Sequence, residues 1–165
     1  MQRIGVVSDS HVPRRARCLP PDLLDQLDGV DLILHAGDLV DETVLVELEA
    51  LAPLVAVAGN MDPHYLHKRL GRRKLLQLGS LQIGLIHGDG MRRAPRKRAE
   101  EAFRDLQPQV ILFGHSHEPL CEYREDGTLM FNPGSCTDPR WAGRPSYGIL
   151  HVDPGGTIYG EIMYL

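Results

Sequence analysis

Short apolar stretches recur along the chain, and each closes on Gly, Asp, Asn or His. Residues 3–8 (RIGVVS) run into Asp9-Ser10-His11, and residues 31–36 (DLILHA) end on Gly37-Asp38. Residues 54–58 (LVAVA) precede Gly59-Asn60, residues 81–86 (LQIGLI) precede His87-Gly88-Asp89, and residues 109–113 (QVILF) precede Gly114-His115-Ser116-His117. Apolar runs of this length predict strands covered on both faces. Between them, 21–28 reads as a short helix. Residues 42–52 place Val44, Leu45, Leu48 and Leu51 at helical spacing, and 96–106 place Ala99, Ala102, Phe103 and Leu106 on one face. The basic stretch Lys68, Arg69, Arg72, Arg73 and Lys74 reads as a solvated loop. Runs at 120–124, 128–132, 146–152 and 157–164 predict strands, with turns at Asp126-Gly127 and Pro154-Gly155-Gly156. The first two thirds alternate strand and helix and the last third is nearly all strand. Two packed sheets with helices outside satisfy both halves.

A length of 165 residues predicts one domain, 1–165. A core of that size needs no disulfide, and 42% hydrophobic with 24% charged residues excludes a disordered chain. The net charge of −4 supplies no global basic field for nucleic acid or membrane. No aromatics interleave the Arg and Lys runs, so no stable nucleic-acid complex is expected. Three cysteines without a Cys-x-x-Cys pair read as reduced thiols. The N-terminus lacks the layout of a signal peptide, and no apolar run nears the ~18 residues of a membrane span. These features predict a cytoplasmic protein without a membrane partner.

Metal-ligand residue types therefore stand at five strand ends. In open α/β sheets those ends converge on one crevice. A single motif is weak: eight His in 165 residues make about 0.4 His-x-His pairs expected by chance. Five fragments in order, each at a strand end, are specific.

The series Asp9-Ser10-His11, Gly37-Asp38, Gly59-Asn60, His87-Gly88 and Gly114-His115-Ser116-His117 resembles the calcineurin-like metallophosphoesterase superfamily. Gly59-Asn60-Met61-Asp62 and Asn132-Pro133-Gly134-Ser135 followed by Pro139-Arg140 resemble its small bacterial and archaeal phosphodiesterase branch, which is similar to the retromer scaffold subunit. The resemblance implies an α/β fold, a four-layer α/β/β/α sandwich of two mixed sheets flanked by helices. It also implies two divalent metal ions. Asp9, His11 and His117 would hold the first, Asn60, His87 and His115 the second, and Asp38 would bridge both. Carboxylate and imidazole donors without thiolate suit manganese first, with nickel, zinc or iron as alternatives. Such a centre would use a metal-bridging hydroxide for in-line attack on phosphorus, and would keep about one positive charge to attract the phosphate. Asp38, Asn60 and His115 are the expected catalytic residues. The expected substrate is a small phosphate ester, with a nucleotide as one case. The alternative is a protein-interaction scaffold with a vestigial site. A homo-oligomer stays open. A metallo-β-lactamase-like zinc hydrolase is set aside, because Glu118-Pro119 follows the only His-x-His.

One departure matters. Larger members of the superfamily often carry His after the motif Asn, where this chain has Met61. A thioether donates no proton, and general acid catalysis contributes ~10²–10⁴-fold. Esters with acidic leaving groups are therefore expected to be favoured. Among other residues, Asp62 reads either as a helix cap before Pro63 or as a group orienting the site. His64 and His67 read as solvated helix residues or replacement acids. His35 reads as a core His or as support behind the site, His151 as structural, and Cys136 as a small buried residue. Arg14 and Arg15 follow the first motif and could line the entrance. Arg92, Arg93, Arg96, Lys97 and Arg98 cluster after Asp89; cations at a helix start oppose its dipole, so the cluster reads either as a contact to a substrate phosphate or as a solvated face offset by Glu100 and Glu101. Arg14, Arg92 and, by resemblance, Arg140 are the expected substrate contacts.

Overall fold

A computed structural model describes residues 1–165. Strands β1 (Gln2–Val7), β2 (Leu32–His35) and β3 (Leu54–Ala56) lie parallel, with helices α1 (Pro21–Leu27) and α2 (Thr43–Glu49) in the crossovers. Helix α3 (His64–Leu70) leads into the hairpin of β4 (Arg73–Leu78) and β5 (Leu81–Ile86). Helix α4 (Pro95–Ala102) precedes β6 (Val110–Leu112), β7 (Leu120–Tyr123), β8 (Leu129–Asn132), β9 (Ser146–Val152) and β10 (Ile158–Tyr164). One sheet has the order β10-β9-β1-β2-β3 and the other β4-β5-β6-β8-β7. Both are mixed: in the first, β9 runs antiparallel to its neighbours β1 and β10, and in the second the edge strands β4 and β7 run antiparallel to β5 and β8.

Strand alternation sorts side chains into layers. Ile4, Val6 and Leu34 face Ile83, Leu85, Leu112 and Phe131 between the sheets. Val7 and Ile33 point the other way, onto Leu23 and Leu27 of α1, Leu45 and Leu48 of α2, and Leu66 of α3. Phe103 and Ala99 cover Ile111 and Met130 on the far side of the second sheet. Each fully buried Leu, Ile or Phe contributes roughly 1.5–3 kcal/mol relative to exposure. The result is the expected four-layer α/β/β/α sandwich.

Two expectations are corrected. Residues 68–74 are not a solvated loop. Lys68 and Arg69 end α3, and Arg73 and Lys74 open β4, which alternates exposed and half-buried positions as an edge strand does. Leu76 and Leu78 pack inward, a two-residue Gly79-Ser80 turn joins β4 to β5, and the charges sit at a sheet edge, where they discourage further pairing. The helix expected over 96–106 stops at Ala102, and Leu106 is exposed. Residues 103–106 form turns that still seat Phe103 against the sheet.

Candidate metal centre

Strand ends β1, β2, β5 and β6 deliver six side chains to one place. Asp9, His11 and His117 form one group, and Asp38, His87 and His115 a second, with the ligand atoms of each group within 4.8 Å of one another. In the first group Asp9 Oδ1 lies 3.2 Å from His117 Nε2 and 3.7 Å from His11 Nε2, and the two imidazole Nε2 atoms lie 3.2 Å apart. In the second, Asp38 Oδ2 lies 3.2 Å from His87 Nε2. Asp38 Oδ2 also lies 3.6 Å from His11 Nε2, so it touches both groups. The exposed Asn60 follows Gly59 at the end of β3.

The local backbone explains how these side chains converge. Asp9, His11, Asp38, His115 and His117 all have φ between 46° and 69°. Non-glycine residues seldom adopt this left-handed region, and it persists only where the surroundings over-determine it. Gly59 and Gly114 answer a different demand. A Cβ on Gly59 would overlap the Asp38 carboxylate and backbone, and one on Gly114 would overlap Ser8 Oγ and the Asp9 carboxylate.

A set of residues outside the motifs orients the ligands. Asp62 accepts backbone N–H bonds from Asp38 (2.9 Å), Val40 (2.6 Å) and Gly59 (2.7 Å). It makes no cap on α3, so of its two readings the structure supports the orienting one. His35 is fully buried. It takes the Gly37 N–H on Nδ1 (3.1 Å), which leaves Nε2–H to donate to Ser10 Oγ (2.5 Å). Burial pushes its pKa down to about 3, so the ring is neutral. The ring of His87 donates from Nδ1 to Ala36 O (2.8 Å) and that of His117 from Nδ1 to Asp138 O (2.5 Å). Each thereby turns Nε2 toward the carboxylates.

Residues 132–138, of which only Asn132-Pro133-Gly134-Ser135 carry the resemblance, supply much of this support. Asn132 donates to Gly114 O (3.2 Å) and Ser116 Oγ (3.0 Å). Ser135 Oγ donates to Asp9 O (2.7 Å) and Thr137 Oγ1 to Ser10 O (2.8 Å). The available signal was a run of Asn, Ser, Thr and Asp directly after a buried strand.

The donor set fits divalent cations. Asp9 Oδ1 and His87 Nε2 are buried and neither is in hydrogen-bond geometry with a neighbour, although buried polar atoms are nearly always paired. Ligands held at about 2.0–2.2 Å from one ion stand roughly 3–3.5 Å apart, close to the 3.2–3.7 Å seen in the first group. The electrostatics also call for positive charge. Burial would raise the Asp9 carboxyl, yet His11, His117 and His87 hold it well below the ordinary carboxylate value. Burial would lower the His87 imidazole, yet Asp38 and Asp9 push it up to about 9. Burial and the charge of His87 lower the pKa of His115.

The other expected residues lie as follows. Arg14 and Arg140 line an open cleft of about 400 Å³ with His11, Arg15 and Met61. Arg92 is exposed and does not line it. Its neighbours form a surface ion-pair network instead: Arg93 with Glu101, Arg96 with Glu100 and Glu122, and Lys97 with Glu100. These carboxylates relieve the helix-start repulsion that had suggested a phosphate contact. His64 is exposed and His67 half-buried on α3. His151 bonds Glu161 (3.0 Å) and stacks on Tyr159 across β9 and β10. Cys136 is buried in the core.

Carboxylates and imidazoles gathered at the strand ends of a double-sheet sandwich make two candidate metal-binding clusters. Residues 2–155 match the calcineurin-like phosphoesterase superfamily domain, and the chain belongs to that superfamily. It is 42% identical over 160 residues to a probable metallophosphoesterase of Methanothermobacter thermautotrophicus, covering 97% of this chain and 91% of that one. It is 26% identical over 165 residues to the phosphodiesterase MJ0936 of Methanocaldococcus jannaschii, covering 92% and 93%. Its fold is similar to that of Vps29 from Chaetomium thermophilum, with a TM-score of 0.81, 24% identity and coverage of 100% and 97%. No helix is long and apolar enough to cross a membrane.

Proposed function

We propose that residues 1–165 act as one catalytic domain, a dinuclear metal-dependent phosphodiesterase. The observation that carries this reading is Asp38 Oδ2, which lies 3.6 Å from His11 Nε2 and 3.2 Å from His87 Nε2 and so stands between two donor groups. Asp9, His11 and His117 would hold one ion. Asn60, His87 and His115 would hold the other, and Asp38 would serve both. Two divalent cations, manganese first, would polarise the phosphoryl oxygens and make water a competent nucleophile.

The chain's own residues define the rest. The Asp62 carboxylate fixes the turn that aims Asp38, and Met61 N–H donates to Asp38 Oδ1 (2.7 Å). His115 is half-buried, so its imidazole can reach both the centre and a bound phosphate. Arg14 and Arg140 offer cations to an anionic substrate beside His11. Met61 lines the same cleft and supplies no proton. Diesters with acidic leaving groups follow as the favoured substrates.

The test is hydrolysis of bis-p-nitrophenyl phosphate beside p-nitrophenyl phosphate, after reconstitution with Mn, Ni, Zn or Mg, on the wild type and Asp38→Ala. Metal-dependent diesterase activity lost in the variant is expected. No activity with any metal, despite two ions bound per chain, would overturn the reading. That result would select the alternative, an interaction scaffold with a vestigial site, which the missing acid at Met61 also favours.

A further inference from the structure

The cleft beside His11 holds more positive charge than one diester needs. Arg14, Arg15 and Arg140 line it, in a chain whose net charge is −4. Asp138 pairs with Arg15 at 3.4 Å. Arg14 has no ion pair, and the only partner of Arg140 is the carbonyl of His115, at 3.4 Å. The scissile phosphate of a diester carries one negative charge, which a two-cation centre with two carboxylates already attracts. Two guanidinium groups then remain without an anion. Guanidinium forks match phosphate oxygens in pairs.

Two further features lie at the same place. Trp141 directly follows Arg140 in a single 3-10 turn (Arg140–Ala142) and is 94% exposed. It is the only tryptophan of the chain. Nearly all of a large aromatic side chain is thus left in water one residue on from Arg140 of the cleft, and such faces stack nucleobases. Arg140 itself holds a left-handed φ of 47°, a strain the turn must maintain. Met61, meanwhile, leaves the cleft without a proton donor. A phosphate leaving group departs as a stable anion and needs none.

Resting on the diesterase reading above, we infer that the substrate is a pyrophosphate-linked nucleotide. Arg14 and Arg140 hold the phosphate next to the one attacked, and Trp141 stacks on the base. The oxygen of water forms the new bond to one phosphorus, and the bond from that phosphorus to the bridging oxygen breaks. The products are two phosphomonoesters, and the protons pass to solvent.

The experiment compares di(adenosine-5′) pyrophosphate with bis-p-nitrophenyl phosphate on the manganese-reconstituted protein. The pyrophosphate is expected to show at least tenfold higher kcat/KM. R14Q and R140Q should each lower the ratio of the two kcat/KM values at least tenfold, and W141A should raise KM for the pyrophosphate more than it changes kcat. Binding gives a second readout. ADP should quench the fluorescence of Trp141 at lower concentration than AMP, and R14Q should remove that difference. Hydrolysis of bis-p-nitrophenyl phosphate alone, or variants that leave the ratio unchanged, would overturn the substrate class and leave the diesterase reading standing. Hydrolysis of neither substrate with two ions bound would overturn both.

Discussion

Removing the Asp62 carboxylate tests the architecture behind the metal centre. Asp62 is 6% exposed and accepts three backbone N–H groups, from Asp38, Val40 and Gly59. Two of those donors are strained: Asp38 has φ 59°, and the β-branched Val40 has φ 79°. In Asp62→Ala all three N–H groups lose their acceptor. Each unsatisfied buried donor costs ~1–3 kcal/mol. Water entering the vacated space recovers part of this, which leaves about 3–5 kcal/mol of destabilisation. For a chain of this length that lowers Tm by roughly 6–20 °C. The turn carrying Asp38 also relaxes, and losing such support typically weakens metal binding 10–100-fold. Asp62→Asn keeps one carbonyl oxygen for the Asp38 and Gly59 donors but sets an amide against Val40 N–H, so its loss is expected to be smaller. The assay is thermal unfolding of the chelated protein, followed by calorimetric titration with Mn²⁺. A helix cap alone would be worth ~1 kcal/mol. A loss of that size or less in Asp62→Ala, with unchanged metal affinity, would refute the reasoning.

Other consequences can be checked separately. His35 is held neutral by burial, with a pKa of about 3 against 6.5 when unfolded, so only the unfolded chain takes up its proton between those values. Stability from this group is intact above pH 6.5 and is lost as pH falls, by about 3 kcal/mol at pH 4. In chelated protein the stability gap between wild type and His35→Asn should narrow from pH 7 to pH 4, and a constant gap would contradict it. Burial pushes the Cys136 thiol up to about 12, while Cys18 and Cys121 are exposed. A thiol reagent at pH 8 should therefore titrate two cysteines in the native protein and the third only after denaturation. In Gly59→Ala the new Cβ would stand 2.6 Å from Asp38 N and 2.8 Å from Asp38 Cγ. Overpacking of this kind costs ~1–3 kcal/mol, and metal content after dialysis should fall at least tenfold as Asp38 is displaced.

Much of the fold was legible in local pattern. An apolar run such as Val110–Leu112 reports its own burial, and the polar residues that follow it mark a strand end. The convergence of Asp9, His11, Asp38, His87, His115 and His117 follows from parallel strands ending at one edge. The edge strand β4 was harder to read, because Arg73 and Lys74 obscure its half-buried alternation. The end of α4 was also missed, since Phe103 is buried whether or not the helix continues through it.

What the tertiary structure alone decided is which polar groups meet across long separations. Ser135 reaches Asp9 from 126 residues away, and Asp62 reaches Asp38 from 24. No periodicity encodes such pairs, because a hydrogen bond depends on two positions in space and a local pattern reports only one. The same limit applies to charge. Arg14 and Arg96 look alike in a sequence, yet one lines the cleft beside His11 and the other is held by Glu100 and Glu122. The residue types at the strand ends state the chemistry of the site. The packing of the sheets determines which side chains support that site and which cations remain free to face a substrate.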